Sequence, residues 1–152
     1  MSVIKANRKE GRLVVLTEAI RLAAYTVQIT ANEKNFPKRH RWQLTQHIVN
    51  EAITIVACIR RANAMRPTEP DEARYRRRQQ RKAYAHAESM LTLMEIAYVA
   101  FNVPDDRVEH WTGMVVNVEK LLRAWRASDR ERARKRAKPA EAPPGAEPAN
   151  SK

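Results

Sequence analysis

The chain has 152 residues, a length typical of one compact domain. Only three glycines and 6% aromatic residues, beside 30% charged residues, argue against a β-sandwich or β-barrel, which needs many turns and many strand-forming side chains. The 29 Lys and Arg residues against 17 Asp and Glu give a formal net charge of +12, so the expected partner is a nucleic acid or an acidic surface.

Apolar residues recur at steps of three and four in four segments, the spacing that places them on one face of a helix. The first set is Leu13, Leu16, Ile20, Ala23 and Val27. The second is Leu44, Ile48, Ala52, Ile55 and Ile59, widened by Val49, Ile53 and Val56. The third is Tyr84, Ala87, Leu91, Met94, Tyr98 and Phe101, and the fourth is Val108, Trp111, Val115, Val118, Leu122 and Trp125. Four such faces predict four helices packed around one core.

Prolines separate the four segments at 35–37, 66–71 and 102–105, because proline cannot continue a helix interior. Asp71 and Asp105 are the predicted N-caps of the third and fourth helices. Connections this short favour antiparallel neighbours. The predicted fold is therefore an all-α, antiparallel up-down-up-down four-helix bundle over residues 13–137, with an extended basic last helix. A basic arm, 1–12, precedes it, and a disordered tail rich in proline and alanine, 138–152, follows.

Three features of the sequence predict the cellular location of the protein. The single cysteine, Cys58, rules out a disulfide within the chain and suits a reducing environment. Charged residues interrupt the N-terminal stretch, which lacks the apolar run of a secretion signal, and no segment has the roughly twenty apolar residues of a membrane span. We expect a soluble, cytoplasmic protein with no membrane association.

Antiparallel packing would collect the basic residues at one end of the bundle. That end contains the starts of the first and third helices and the ends of the second and fourth. The stretch 73–82, at the start of the third helix, contains no acidic residue. So many like charges repel one another unless an anion binds, and arginine suits bidentate phosphate contacts and stacking on unpaired bases. The predicted phosphate-binding residues are Arg60, Arg61, Arg74, Arg77, Arg78, Arg81, Lys82, Arg123, Arg126 and Arg130. Binding is predicted to rely on contacts with the sugar-phosphate backbone of the nucleic acid and to weaken as salt concentration rises, since no motif that reads base sequence is present.

The stretch Phe36-Pro37-Lys38, leading into a helix that ends in Arg61-Ala62-Asn63, resembles the accessory variability determinant proteins of diversity-generating retroelements. The closing helix, with Leu121-Leu122 and Trp125, is similar to that family too, and the resemblance covers about 13–128. Proteins encoded in intervening sequences of large (23S) ribosomal RNA genes share the Phe-Pro-Lys entry within the wider four-helix-bundle superfamily. They typically end the second helix with Asn-Ile-Ala-Glu-Gly, where this chain has Cys58-Ile59-Arg60-Arg61-Ala62-Asn63, which favours the retroelement branch.

The resemblance implies a non-enzymatic, basic, barrel-shaped homopentamer. Such a protein binds the retroelement reverse transcriptase together with template RNA or its complementary DNA, and supports mutagenic reverse transcription. No cofactor is implied.

An enzymatic alternative stays open. Arg81 and His86 match the Arg-x4-His spacing of HEPN ribonucleases, in which histidine would serve as a general base. In so arginine-rich a chain the match carries little weight. No two histidines have the i, i+4 spacing of a helical metal site, and no Walker loop or catalytic triad can be assembled, so we expect neither a metal nor catalysis. Cys58 is expected to be a buried, inert thiol, and Trp42 either partly buried in the core or a subunit contact.

Overall fold

A computed structural model describes residues 13–138 and Gly145, and within these residues the fold is all-helical, as predicted. The four helices are α1 (Val14–Thr30), α2 (Gln46–Asn63), α3 (Pro70–Phe101) and α4 (Asp105–Ala137). The predicted arm at 1–12 lies outside the described residues, and so does the predicted tail apart from Lys138 and Gly145. None of the described helices is long and apolar enough to cross a bilayer.

Each helix packs against two others. Helices α1 and α3 each contact both α2 and α4, an arrangement compatible with a four-helix bundle. The core contains large side chains from all four helices, among them Leu22, Ile55, Met90 and Trp111, none of which is exposed. A buried hydrogen bond from Trp111 Nε1 to Thr26 Oγ1, 3.0 Å long, joins α4 to α1.

The main rows of two predicted core faces are confirmed. In α2, Ile48, Ala52, Ile55 and Ile59 are all buried, as is the preceding Leu44. Of the three residues predicted to widen this face, Val49 and Val56 are partly buried, but Ile53 is 52% exposed, so the prediction is wrong for Ile53. In α4 the predicted residues from Trp111 to Trp125 are all buried, and Val108 is partly buried. Both tryptophans therefore lie in the core, as expected.

The core face predicted for α1 is correct only in part. Leu16 is buried, and Leu13 and Ala23 are partly buried against the core, but Ile20 and Val27 are 38% and 51% exposed. The other buried residues of this helix are Val15, Ala19, Leu22, Thr26 and Ile29. Apolar residues surround most of this helix, so spacing alone does not select a face. Thr26 is buried in place of a hydrocarbon because its hydroxyl donates to the Leu22 carbonyl oxygen, 2.7 Å away, and accepts from Trp111.

The face predicted for α3 is correct only in part. Ala87 and Met94 are buried, but Tyr98 is 40% exposed, and Tyr84, Leu91 and Phe101 are only partly buried. The remaining apolar residues that this helix buries are Ala83, Met90 and Ala97. Tyrosine suits the edge of the core because its ring can pack against apolar side chains while its hydroxyl stays in contact with water. The Tyr98 hydroxyl donates a hydrogen bond to Asp105 Oδ1 over 2.6 Å.

The two predicted N-caps are also wrong. Glu69 precedes α3, whose first residue is Pro70, and Pro104 precedes α4, whose first residue is Asp105. Proline suits the first turn of a helix because the N–H group that it lacks would have no partner there. Asp71 and Asp105 lie within the first turns, where their negative charges favour the positive end of the helix dipole.

The Phe-Pro-Lys stretch lies between α1 and α2 and leads into a 3-10 turn, Lys38–His40, and a π-helical turn, Arg41–Thr45. The Phe36 ring is 3% exposed and packs edge-on against the rings of Phe101 and Trp111, with centroids 5.9 Å apart in each pair. Phe36 therefore closes one end of the core. Trp42 is 75% exposed, so the core interpretation of that residue is wrong.

Candidate nucleic-acid interface

A buried ion pair fixes the start of α3 against the end of α4. Arg76 Nε and Nη2 donate to the two Asp129 carboxylate oxygens over 2.6 and 3.0 Å, and Gln80 Nε2 donates to Oδ2 over 2.9 Å. The Arg76 Nη1 group donates to the carbonyl oxygen of Met65, 3.1 Å away, and the guanidinium carbon lies 4.8 Å from the Trp125 ring centroid. The negative charge of Asp129 is thus matched inside the protein.

Beside this ion pair lies the α3–α4 groove, a recess with a cavity of about 90 Å³. Pro67, Ala73 and Ala133 give it aliphatic surface, and four guanidinium side chains line it. They belong to Arg77, Arg126, Arg130 and Arg136. Since Arg76 already pairs with Asp129, the groove holds four positive charges and no free carboxylate among its described lining residues.

The structure brings three of the ten predicted phosphate-binding residues into this groove: Arg77, Arg126 and Arg130. All ten lie at the surface, and only Arg126 is partly buried. The other seven point elsewhere or are engaged with neighbours. The Arg123 guanidinium lies 5.8 Å from the Tyr84 ring centroid, and Arg74 pairs with the exposed Asp71.

The remaining five form no ion pair within residues 13–138. Arg61 and Lys82 lie close enough to the Cys58 thiol to lower its pKa, so they belong to the side where α2 meets α3. Arg60, Arg78 and Arg81 are exposed on α2 and α3. The predicted residues therefore surround the starts and ends of these helices and do not share a single groove.

Sequence reasoning missed two residues of this region, Arg76 and Arg136. Arg76 lies in the acid-free stretch 73–82 and Arg136 in the basic stretch 123–138, but neither is among the ten predicted binding residues. Arg76 is 7% exposed and supports the groove from inside, whereas Arg136 lines it. A signal for the ion pair exists in the sequence: Asp129 and Glu131 are the only acidic residues between Arg123 and Lys138, and an isolated acid in a basic run suggests an internal partner.

A buried carboxyl lies further along the same pair of helices. Glu119 is 5% exposed, and its Oε1 atom has no hydrogen-bond partner among the described residues. Burial raises the pKa of Glu119 from 4.5 to about 7, and the nearby Glu88 carboxyl adds to the shift, while Arg123 opposes it. Glu119 therefore adds little negative charge near Arg123 below neutral pH.

The pair Arg81 and His86 does not form a compact site. Five residues along a helix correspond to about 140° around its axis, so the two side chains leave α3 in different directions. Arg81 is exposed, whereas His86 Nδ1 lies 2.6 Å from Glu51 Oε2 on α2. No group of three His, Cys, Asp or Glu side chains among the described residues could hold a metal ion.

Cys58 is buried, as predicted. It is 2% exposed on α2, and this burial raises the pKa of its thiol although Arg61 and Lys82 lower it in part. A thiol that is both buried and protonated is a poor nucleophile.

Comparisons of the chain with protein-family models, with curated proteins and with solved structures found no match. The resemblance to the accessory variability determinant family consequently stays a prediction based on the Phe36-Pro37-Lys38 entry and the residues that follow it. The same holds for the partners that the resemblance implies.

Proposed function

We propose that this protein is a non-enzymatic accessory subunit that binds RNA or DNA through phosphate contacts on a basic surface. The observation that carries the proposal is the α3–α4 groove, which four arginine side chains line and where the adjacent Asp129 is already paired with Arg76. Several like charges along one groove are unfavourable unless a polyanion neutralises them. Nucleic acid is the polyanion that arginine recognises best, through bidentate contacts with phosphate oxygens.

We infer an antiparallel, up-down-up-down arrangement of the four helices. Its support is the order of contacts between α3 and α4, where Arg76 meets Asp129 and Tyr98 meets Asp105, so that residue numbers rise along one helix as they fall along the other. A second support is a surface cleft lined together by Leu13, Asn63, Arg76 and Arg132, which come from the start of α1, the end of α2, the start of α3 and the end of α4. In this arrangement the basic runs meet at one end of the bundle.

Binding of this kind is dominated by release of the counterions that surround the phosphates. Affinity should then fall steeply as salt concentration rises and should depend little on base sequence. Each phosphate contact removed should also make the dependence on salt less steep, by about one unit of the logarithmic slope per lysine or arginine.

The decisive experiment reverses three charges on α3: Arg77→Glu, Arg78→Glu and Arg81→Glu. The variant should lose RNA binding in an anisotropy titration, while circular dichroism and the mass of the assembly stay unchanged, because all three side chains are exposed. A matched control reverses Lys34, Arg39 and Arg41, three exposed cations at the connection between α1 and α2. The control makes the same change in net charge, so binding that falls equally in both variants would contradict the assignment of the interface.

A cytoplasmic location is proposed from the cysteine content and the N-terminal sequence described above. The resemblance supports two further parts of the proposal: a homopentamer, and a retroelement reverse transcriptase as its protein partner. Light scattering should give five times the 17.5 kDa chain mass, and the protein should co-purify with the reverse transcriptase when the two are co-expressed. Template and variable repeats beside the gene would support this branch. A gene lying inside a large ribosomal RNA gene would instead favour the ribosomal intervening-sequence proteins.

The ribonuclease alternative makes a different prediction. Purified protein should then degrade RNA, and His86→Ala should stop the degradation. The contact between His86 and Glu51 is compatible with a general base, but the direction of Arg81 is unfavourable for a joint site within one chain. RNA that remains intact during prolonged incubation rules this alternative out.

A further inference from the structure

The charge of the α3–α4 groove exceeds what one phosphodiester can neutralise. A phosphodiester carries a single negative charge, whereas a phosphate monoester carries about −1.5 to −2 near pH 7 and offers three acceptor oxygens. The four guanidiniums of Arg77, Arg126, Arg130 and Arg136 have no carboxylate among the described lining residues except Asp129, which Arg76 occupies. At any one position in the groove, a doubly charged terminal phosphate would therefore neutralise more of this charge than a single internal phosphodiester.

The size of the recess suits a phosphate better than a base. Its cavity of about 90 Å³ is smaller than the roughly 150 Å³ apolar cavity that takes up a benzene ring. The recess is partly open to solvent, so an aromatic base would be only partly enclosed by it, whereas a tetrahedral phosphate, with five heavy atoms, is small enough to enter fully. The aliphatic surface of Ala73 and Ala133 can contact the sugar next to the phosphate.

A hydrogen bond joins the two walls of the groove at one end. Arg136 Nη2, near the end of α4, donates a hydrogen bond to the Pro67 carbonyl oxygen 3.2 Å away, in the connection that precedes α3. Both residues line the groove, so this bond joins its two walls. Arg126 lies ten residues, or about 15 Å, nearer the start of α4. A strand that enters from the Arg126 side meets this surface contact at the other end of the groove.

We propose that the α3–α4 groove binds the terminal phosphate of a nucleic-acid strand, so that the protein recognises a phosphorylated strand end in addition to the backbone. This inference rests on the proposed function and specifies the part of the nucleic acid that the groove takes. Arg126 and Arg130, one helical turn apart on α4, hold the phosphate from one wall and Arg77 on α3 from the other.

The experiment uses the full chain and three single-stranded RNAs of one sequence that differ only at their ends: one with hydroxyls at both ends, one with a 5′-phosphate and one with a 3′-phosphate. Anisotropy is measured at one fixed ionic strength, with the fluorophore attached at an internal position. At least one phosphorylated strand should bind about tenfold more tightly than the strand with two hydroxyl ends, as expected for an added charge-assisted contact. The strand that gains identifies which end is recognised.

Two variants assign the effect to the groove. Arg126→Gln combined with Arg130→Gln should remove the preference for the phosphorylated end. The matched variant, Arg60→Gln combined with Arg81→Gln, removes two exposed arginines that do not line the groove. It should weaken binding of all three strands by the same factor and leave the preference intact.

The outcomes separate this inference from the proposed function. Equal affinity of the unaltered protein for all three strands overturns end recognition, while the proposed binding of nucleic acid stands. A preference that survives in Arg126→Gln/Arg130→Gln also overturns the assignment to the groove. Absence of binding to every strand, even at low salt, contradicts the proposed function and this inference together.

Discussion

Replacing Arg76 by methionine tests whether the buried ion pair with Asp129 holds the starts and ends of the helices together. The two side chains are 9% and 10% exposed, and the carboxylate accepts two hydrogen bonds from Arg76 and one from Gln80. Methionine retains much of the hydrocarbon volume but donates nothing. Asp129 would stay buried with a single donor.

The expected loss is large because an unpaired charge remains in the interior. Breaking a buried pair from one side costs about 3–5 kcal/mol, against roughly 5–15 kcal/mol for the whole stability of a typical domain. Arg76 also donates to the carbonyl oxygens of Ala62 and Met65, so the end of α2 loses partners as well. We therefore expect the upper half of that range. Arg76→Lys, which keeps one charged donor, should lose less than Arg76→Met.

Urea unfolding followed by circular dichroism measures the change in the free energy of unfolding. Arg74→Met is the matched control, because Arg74, two residues before Arg76 on the same helix, forms an exposed pair with Asp71. That variant should lose about 0.5 kcal/mol or less. Combining Arg76→Met with Asp129→Leu should restore only part of the stability: an apolar pair can replace a buried ion pair at little cost, but the buried Gln80 amide loses its acceptor. Equal losses in Arg76→Met and Arg74→Met would refute the reasoning.

Three further predictions concern single buried groups. Thr26→Val should cost about 1–3 kcal/mol in urea unfolding, because it leaves the Trp111 indole N–H without an acceptor, whereas Thr26→Ser should cost less. The raised pKa of Glu119, about 7, means that the folded protein holds this proton more tightly than the unfolded chain. The stability that protonated Glu119 contributes is complete below about pH 4.5 and is lost as the pH rises through 7. The free energy of unfolding should therefore fall by an amount on the order of 2–3 kcal/mol between pH 5 and 8, and Glu119→Gln should remove most of this decrease. Cys58 should react at least about tenfold more slowly with a thiol reagent in the native protein than in urea, because the thiol is buried and its pKa is raised.

Each of these has a clear contrary result. Equal stability of Thr26→Val and Thr26→Ser would mean that the indole N–H finds another partner. A pH profile of the free energy of unfolding that Glu119→Gln leaves unchanged would contradict the assignment of the titration to Glu119. Rapid modification of Cys58 before unfolding would show that α2 opens readily at that position.

The helical fold and two of its core faces could be predicted from the sequence because local spacing was unambiguous there. In α2, Ile48, Ala52, Ile55 and Ile59 recur at steps of three and four and all four are buried, although the nearby Ile53 is exposed. Prolines at 67, 70 and 104 likewise mark the connections without any knowledge of the tertiary structure. The excess of positive charge, and with it the expectation of an anionic partner, is also a property of composition.

Four amphipathic helices, their connections and the concentration of arginine near particular helix ends follow from local residue patterns. Which side of α1 is buried depends on the fold, because Thr26 is buried with Trp111, a hydrogen-bond partner 85 residues away in the chain. The fold also selects which arginine has a structural role. Arg76 resembles its neighbours in sequence, but Asp129, 53 residues away, turns it inward and leaves Arg77 to line the groove. Periodicity records a residue's own polarity, whereas burial of a polar group depends on a partner that the fold brings to it.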